Sequence, residues 1–159
     1  MVEVDKSNSQ EGKHISNPCV GLALSGGGPR GLAHIGVLRV LERQGIPVDV
    51  LAGTSMGGII AAGYAAGLSP EELEQEALAT ARIRRLFRLI DPGRPDAGLM
   101  RGQRIQAYFE EILDSMTFDD LKIPLALVAV DLNAQSEVIM TEGSLPLALR
   151  ATISEITAF

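Results

Sequence analysis

Apolar positions in this chain gather in short dense runs that glycines separate, and the runs alternate between strand-like and helix-like patterns. Val20 to Ser25 is a brief apolar stretch that stops at three glycines, as a strand buried on both faces would. Leu32 to Gln44 follows, with Leu32, Ile35, Val37, Leu38, Val40 and Leu41 spread nearly all round a helix that Gly45 closes. Val48 to Ala52 reads as a second buried strand, and Met56 to Ala66 as a helix of small residues ended by Gly67. Gly57, Gly58, Ala61, Ala62, Gly63 and Ala65 would let that helix lie close to a sheet. Ser69-Pro70-Glu71-Glu72 restarts a helix: the serine fits the N-cap, the proline the first helical position, and Glu72 the reciprocal capping acid. After a loop from Asp91 to Gly98, the residues Ile105, Tyr108, Phe109, Ile112 and Leu113 repeat at helical spacing over Gly102 to Leu113. Leu125 to Val130 is a third strand, Glu137 to Thr141 a fourth, and Leu145 to Ala151 begins another helix. Strands alternating with helices predict an α/β fold, a three-layer α/β/α architecture around a mainly parallel sheet.

Composition narrows this picture. With 159 residues, 46% of them apolar, the chain supports one folded domain, assigned to 18–159 behind a polar leader at 1–17. The leader carries Glu3, Asp5, Lys6 and Lys13 without an apolar stretch, so it is expected to be disordered and is not a secretory signal. No run approaches the roughly eighteen apolar residues of a membrane span. Cys19 is the only cysteine, which excludes an internal disulfide and a thiolate metal cluster. A net charge of −6 argues against general nucleic-acid binding, since no overall field attracts phosphate. The expectation is a soluble cytoplasmic chain. Its apolar ending, Ile156-Thr157-Ala158-Phe159, is read as a cut, with the C-terminal part of the fold missing.

Two glycine-rich segments carry the candidate chemistry. Ser25-Gly26-Gly27-Gly28-Pro29-Arg30-Gly31 ends the first strand, and Gly53-Thr54-Ser55-Met56-Gly57 ends the second. Composition alone produces a G-x-S-x-G in roughly one such chain in ten, but the longer glycine motif in only about one in a thousand. The second segment suits a nucleophile elbow, a sharp strand-to-helix turn in which Gly53 and Gly57 leave room around one serine oxygen. The helix that follows would aim its free N–H groups at that serine. The first segment supplies backbone N–H donors for a developing oxyanion. The plain alternative for Ser55 is a turn or N-cap serine before a glycine-rich helix. Gly26, Gly28 and Gly31 also satisfy the G-x-G-x-x-G of dinucleotide sites, and Asp49 stands near the spacing of a ribose-binding acid. Asp49, however, begins its strand, whereas such an acid ends one.

A serine nucleophile needs a base. Both histidines, His14 and His34, precede Ser55, so the order serine, acid, histidine is excluded. His34 shares a helix face with Leu38 and Leu41 and reads as a packed histidine, while His14 falls in the leader. Among the carboxylates, Asp114, Asp119 and Asp120 read as helix-end and turn residues, and Asp91 and Asp96 as turn formers beside a Pro/Gly loop. Asp131 ends a buried strand on the edge where α/β sites form, with a turn role as its alternative.

Together these residues resemble the patatin-like phospholipases, acyl hydrolases with a Ser–Asp dyad. The likeness rests on Gly26 to Gly31 and Gly53 to Gly57, with His34-Ile35-Gly36-Val37-Leu38, Gly98-Leu99 and Val130-Asp131-Leu132 also at family positions. It runs from about Cys19 to Ala151 and is closest in layout to the small bacterial members. The resemblance implies Ser55 as the nucleophile, an oxyanion loop of Gly26, Gly27, Gly28, Arg30 and Gly31 that Arg30 helps to fix, and an elbow of Gly53, Met56 and Gly57. It implies a phospholipid, lysophospholipid or other acyl ester as substrate, and neither metal nor cofactor. The family's aspartate belongs to an Asp-Gly-Gly or Asp-Gly-Ala motif beyond Phe159; Asp96-Ala97-Gly98 looks similar but stands too early. The last residues, Ser154 to Phe159, also lack the proline that usually precedes the family's closing aromatic. The alternative is a truncated, non-catalytic module that binds acyl groups or a partner. Ile83, Leu86, Phe87 and Ile90 on one helical face, with Arg84, Arg85 and Arg88 opposite and Arg82 at the flank, suit peripheral membrane contact or an ordinary surface helix. A sheet without its last strands is expected to self-associate through its edge.

Overall fold

Four short strands, β1 (Gly21–Leu24), β2 (Val50–Gly53), β3 (Leu125–Asp131) and β4 (Ser136–Met140), lie side by side in the order β1-β2-β3-β4. Helices α1 (Ala33–Arg43), α2 (Ser55–Ala66), α3 (Pro70–Leu78) and α4 (Leu145–Ser154) connect and cover them. This computed structural model describes residues 19–78, 113, 115–131 and 133–154. The leader, the Asp91 to Gly98 loop, the arginine-flanked stretch, Asp114 and all but the last residue of the Gly102 to Leu113 helix lie outside the described residues.

β1 pairs with β2, and β2 with β3, in parallel, as the alternation of strands and helices predicts. β4 runs antiparallel to β3, so the sheet is mixed and mainly parallel. The cause is local. The Asp131 carboxylate accepts the N–H groups of Asn133 and Ala134 at 2.8 and 3.0 Å, and Gln135 adopts φ 52. These make a turn far too short for the crossover that a parallel neighbour requires.

Register partners share a face, and the two faces differ. Leu24, Leu51, Leu125, Leu127 and Ala129 are buried on one side, where α2 packs across β1, β2 and β3 and α4 packs on β3 and α2. Both crossovers step the same way along the sheet, so the right-handed rule puts their helices on this one face. Leu38, Leu145, Leu149 and Ile153 complete the core there. The opposite face carries Ala23, Val50, Ala52, Ala126, Val128 and Val130, with Val50 and Val130 each 39% exposed. Among the described residues, two of the three expected layers are therefore in place.

The helix boundaries follow from local chemistry. Gly28–Leu32 forms a 3-10 turn with Pro29 near its start, and α1 begins only at Ala33. Its nearly all-round apolar surface is half used: Ile35 and Leu38 are buried, whereas Val37 and Val40 face outward. α3 opens with the expected capping box, Ser69 N–H donating to Glu72 Oε2 at 2.8 Å and Glu72 N–H to Ser69 Oγ at 3.2 Å. Arg39 of α1 ties the two helices together by pairing with Glu71 and Glu74 of α3 at 2.9 and 2.6 Å.

Candidate active site

The ladder between β2 and β3 ends at Gly53 and Leu127, and the chain turns there from strand to helix. Thr54 is extended, with φ −133 and ψ 141, and the next residue, Ser55, takes φ 52. A non-glycine residue in the left-handed region costs on the order of 1–3 kcal/mol and persists only where its surroundings hold it. Here the holding is close backbone packing. A Cβ on Gly57 would stand 2.2 Å from the Leu24 carbonyl oxygen, and one on Gly53 would stand 2.6 Å from the Gly58 Cα. The first turn of α2 thus lies directly against the end of β1, and Thr54 N–H donates to the Leu24 carbonyl at 3.2 Å. Ser55 itself is 7% exposed.

The first glycine segment leaves β1 at the same edge. Gly27 and Gly28 have φ 152 and 54, and the Arg30 N–H donates to the Gly27 carbonyl at 3.2 Å to close the 3-10 turn. A Cβ on Gly26 would lie 3.3 Å from the Ser55 Cβ, so the loop passes beside the serine. A Cβ on Gly31 would lie 2.5 Å from the Met56 Cγ, so the far end of the loop rests on the residue after the serine. Arg30 contributes its backbone N–H, and its side chain is exposed. The structure therefore brings Gly26, Gly31, Ser55 and Met56 together, with Gly53 and Gly57 beneath them.

Two residues that fix this arrangement are not obvious from the motifs. His34, half-buried on α1, donates from Nε2 to the Ser25 carbonyl at 2.9 Å and so ties down the start of the glycine loop. Its place on a packed helix face hides that use. Thr152 of α4 is fully buried, and its Oγ1 accepts the Ser55 N–H at 3.0 Å. The Thr152 hydroxyl donates to the Val128 carbonyl, and the Thr54 Oγ1 lies 3.3 Å from that carbonyl and 3.4 Å from Thr152 Oγ1. The one available signal was a polar residue sharing a helix face with the apolar Leu149 and Ile153.

The remaining candidates are placed elsewhere or engaged otherwise. Asp131 spends its carboxylate on the β3–β4 turn, which is the turn role weighed for it. Asp49 accepts the Val20 N–H at 2.7 Å where β1 and β2 start, the end of the sheet opposite to the glycine loop. Asp120 caps its own 3-10 turn, accepting the Thr117 N–H at 2.7 Å and hydroxyl at 2.8 Å, and these bonds hold its carboxyl below the usual range. Asp119 is exposed on the same turn. His14, Asp91, Asp96 and Asp114 lie outside the described residues. Among the described residues no group of His, Cys, Asp and Glu side chains is arranged to hold a metal ion, and no helix is long and apolar enough to cross a membrane.

Comparison with known proteins adds to this geometry. A family model described as patatin-like phospholipase matches residues 22–159. An uncharacterised NTE family protein of Mycobacterium tuberculosis is 37% identical over 139 residues, which are 87% of this chain and 38% of that protein. Human patatin-like phospholipase domain-containing protein 6 is 32% identical over 142 residues, 88% of this chain and 10% of that protein. The crystal structure of the type III effector protein ExoU superposes with a TM-score of 0.59 at 17% identity, covering 87% of this chain and 40% of that one. At that identity the likeness shows the fold alone. The chain spans less than half the length of these curated relatives.

Proposed function

The chain belongs to the patatin-like phospholipase family, and we propose that it carries the nucleophile and oxyanion loop of a serine lipid acyl hydrolase. One observation supports this above the others. Ser55 sits in a left-handed conformation at a strand-to-helix turn, with the glycine loop so close that a Gly26 Cβ would lie 3.3 Å from its own. A merely structural N-cap serine needs neither the strained backbone nor a second loop beside it.

In this reading Ser55 Oγ attacks the ester carbonyl of a phospholipid, lysophospholipid or other acyl ester. Its proton passes to a carboxylate base, and the oxyanion is held by N–H groups of the Gly26 to Gly28 loop and by the positive end of α2. Collapse expels the alcohol and leaves an acyl-serine, which water then hydrolyses. Neither a metal nor a cofactor enters these steps. Following the family's Ser–Asp chemistry, we assign the base to an aspartate of an Asp-Gly motif and not to Asp131, whose carboxylate is committed to its turn. A lipid substrate would bring the protein into contact with a membrane surface, and we place that work in the cytoplasm.

A fluorophosphonate probe and a short-chain chromogenic ester test this on the full-length protein. Labelling and turnover are expected, and Ser55→Ala should abolish both, lowering kcat at least about a thousandfold. Activity that survives the substitution removes Ser55 from the mechanism. A wild-type protein that takes no label yet binds phospholipid vesicles would favour the non-catalytic acyl-binding module instead.

A further inference from the structure

We infer that Thr152 is a positioning residue of this site, holding the Ser55 backbone in its left-handed conformation from 97 residues away along the chain. The inference rests on the reading of Ser55 as nucleophile. It starts from a backbone group that needs a partner. The N–H groups in the first turn of a helix have no acceptor within that helix. The Ser55 N–H is one of these, in a residue that is 7% exposed, and it is taken by the Thr152 hydroxyl oxygen at 3.0 Å.

The direction of that bond follows from the rest of the network. A threonine hydroxyl has one proton to give and two lone pairs to receive. Thr152 directs its proton to the Val128 carbonyl, which leaves the oxygen free to accept from Ser55. The Val128 carbonyl is open to Thr152 because the β2–β3 ladder has stopped one residue earlier, at Leu127. The break in the ladder that creates the elbow thus also supplies the acceptor that orients Thr152. The methyl group of Thr152 is equally constrained, since its Cγ2 lies 3.4 Å from where a Gly58 Cβ would be. With the methyl against α2 and the proton on β3, the oxygen lone pair faces Ser55.

A hydroxyl here needs explaining, because Thr152 is wholly shut off from solvent. Valine has the same shape and would fill the space without a polar atom to satisfy. What valine would lose is the acceptor for the Ser55 N–H. Thr152 acts through the serine backbone, whose N–H it accepts.

The test compares Thr152→Val, Thr152→Ser and Ser55→Ala in the full-length protein by fluorophosphonate labelling rate, by kcat and KM with a chromogenic ester, and by thermal melting. Thr152→Val is expected to slow labelling and kcat about ten- to a hundredfold with KM changed by less than about twofold. Thr152→Ser, which keeps the hydroxyl, should recover most of that loss. A purely structural role would lower the melting temperature without this split between kcat and KM. Wild-type rates in Thr152→Val, beside an inactive Ser55→Ala, overturn the role of Thr152 and leave the proposed function standing. Full activity in Ser55→Ala overturns the nucleophile and this inference with it. Should Thr152→Val not fold, Thr152→Ser and Thr152→Cys decide the matter: the serine variant should react faster than the cysteine variant, whose thiol is a poor acceptor, and equal rates would overturn the proposal.

Discussion

Glycine is indispensable at one position near the serine and dispensable at another in the preceding helix, and stability measurements should separate the two. At Gly57 a Cβ would meet the carbonyl oxygens of Leu24 and Ser25 at 2.2 and 2.5 Å, backbone atoms that cannot swing aside. Gly57→Ala is therefore expected to cost more than about 2 kcal/mol in urea denaturation, by forcing β1 and α2 apart. Gly36 presents the opposite case. It lies exposed in α1 with nothing within 4 Å of a would-be Cβ. Gly36→Ala should raise stability by about 0.5–1 kcal/mol, since alanine loses less backbone freedom on entering a helix. The crowded glycines were legible in the sequence because their demand is steric and belongs to the residue type. His34 and Thr152 were not, because what matters about them is the partner, and each partner is a backbone group elsewhere in the fold.

Short-range patterns decided most element boundaries. The box of Ser69 and Glu72 closes over three residues, so it could be read before any fold was known. A second box, Thr117 with Asp120, has the same spacing in a stretch read only as a turn. Both acids are held below their ordinary values of 4.5 and 3.8 by the N–H and hydroxyl groups of the capping residue. A carboxyl lowered in the folded state stabilises the fold above its unfolded value and loses that contribution as pH falls through the folded one. Melting temperature should accordingly be flat near neutrality and decline once the pH drops below 4.5. Glu72→Gln, which keeps the shape but not the titration, should make that decline shallower; an unchanged slope would assign the acid sensitivity elsewhere. The direction of β4 is set just as locally. Alternating strands and helices predict a parallel neighbour, but the turn that Asp131 organises leaves no room for a crossover.

At the scale of the molecule, the described helices α1 to α4 gather on one side of the sheet, and among the described residues the other side keeps apolar positions partly open. Val50 and Val130 are 39% exposed there, and Ile139, the register partner of Val128 on the outer strand β4, is 61% exposed. The 159-residue chain should therefore associate as its concentration rises, through this face and the strand edge beside it. Sedimentation velocity measures this: Ile139→Lys should shift the population toward monomer, and a wild-type chain that stays monomeric at high concentration would contradict it. By itself the sequence determined the α/β class, the two strand ends that break off in glycines, and the serine that follows the second of them. Those features depend on steric demands and hydrogen bonds within a few residues, so the local order of side chains is enough to state them. Only the tertiary structure decided that the two glycine segments meet, and that His34 anchors one and Thr152 the other. Each of these depends on which distant backbone groups are left without a partner once the sheet has formed, and a partner brought near by folding has no fixed spacing along the chain.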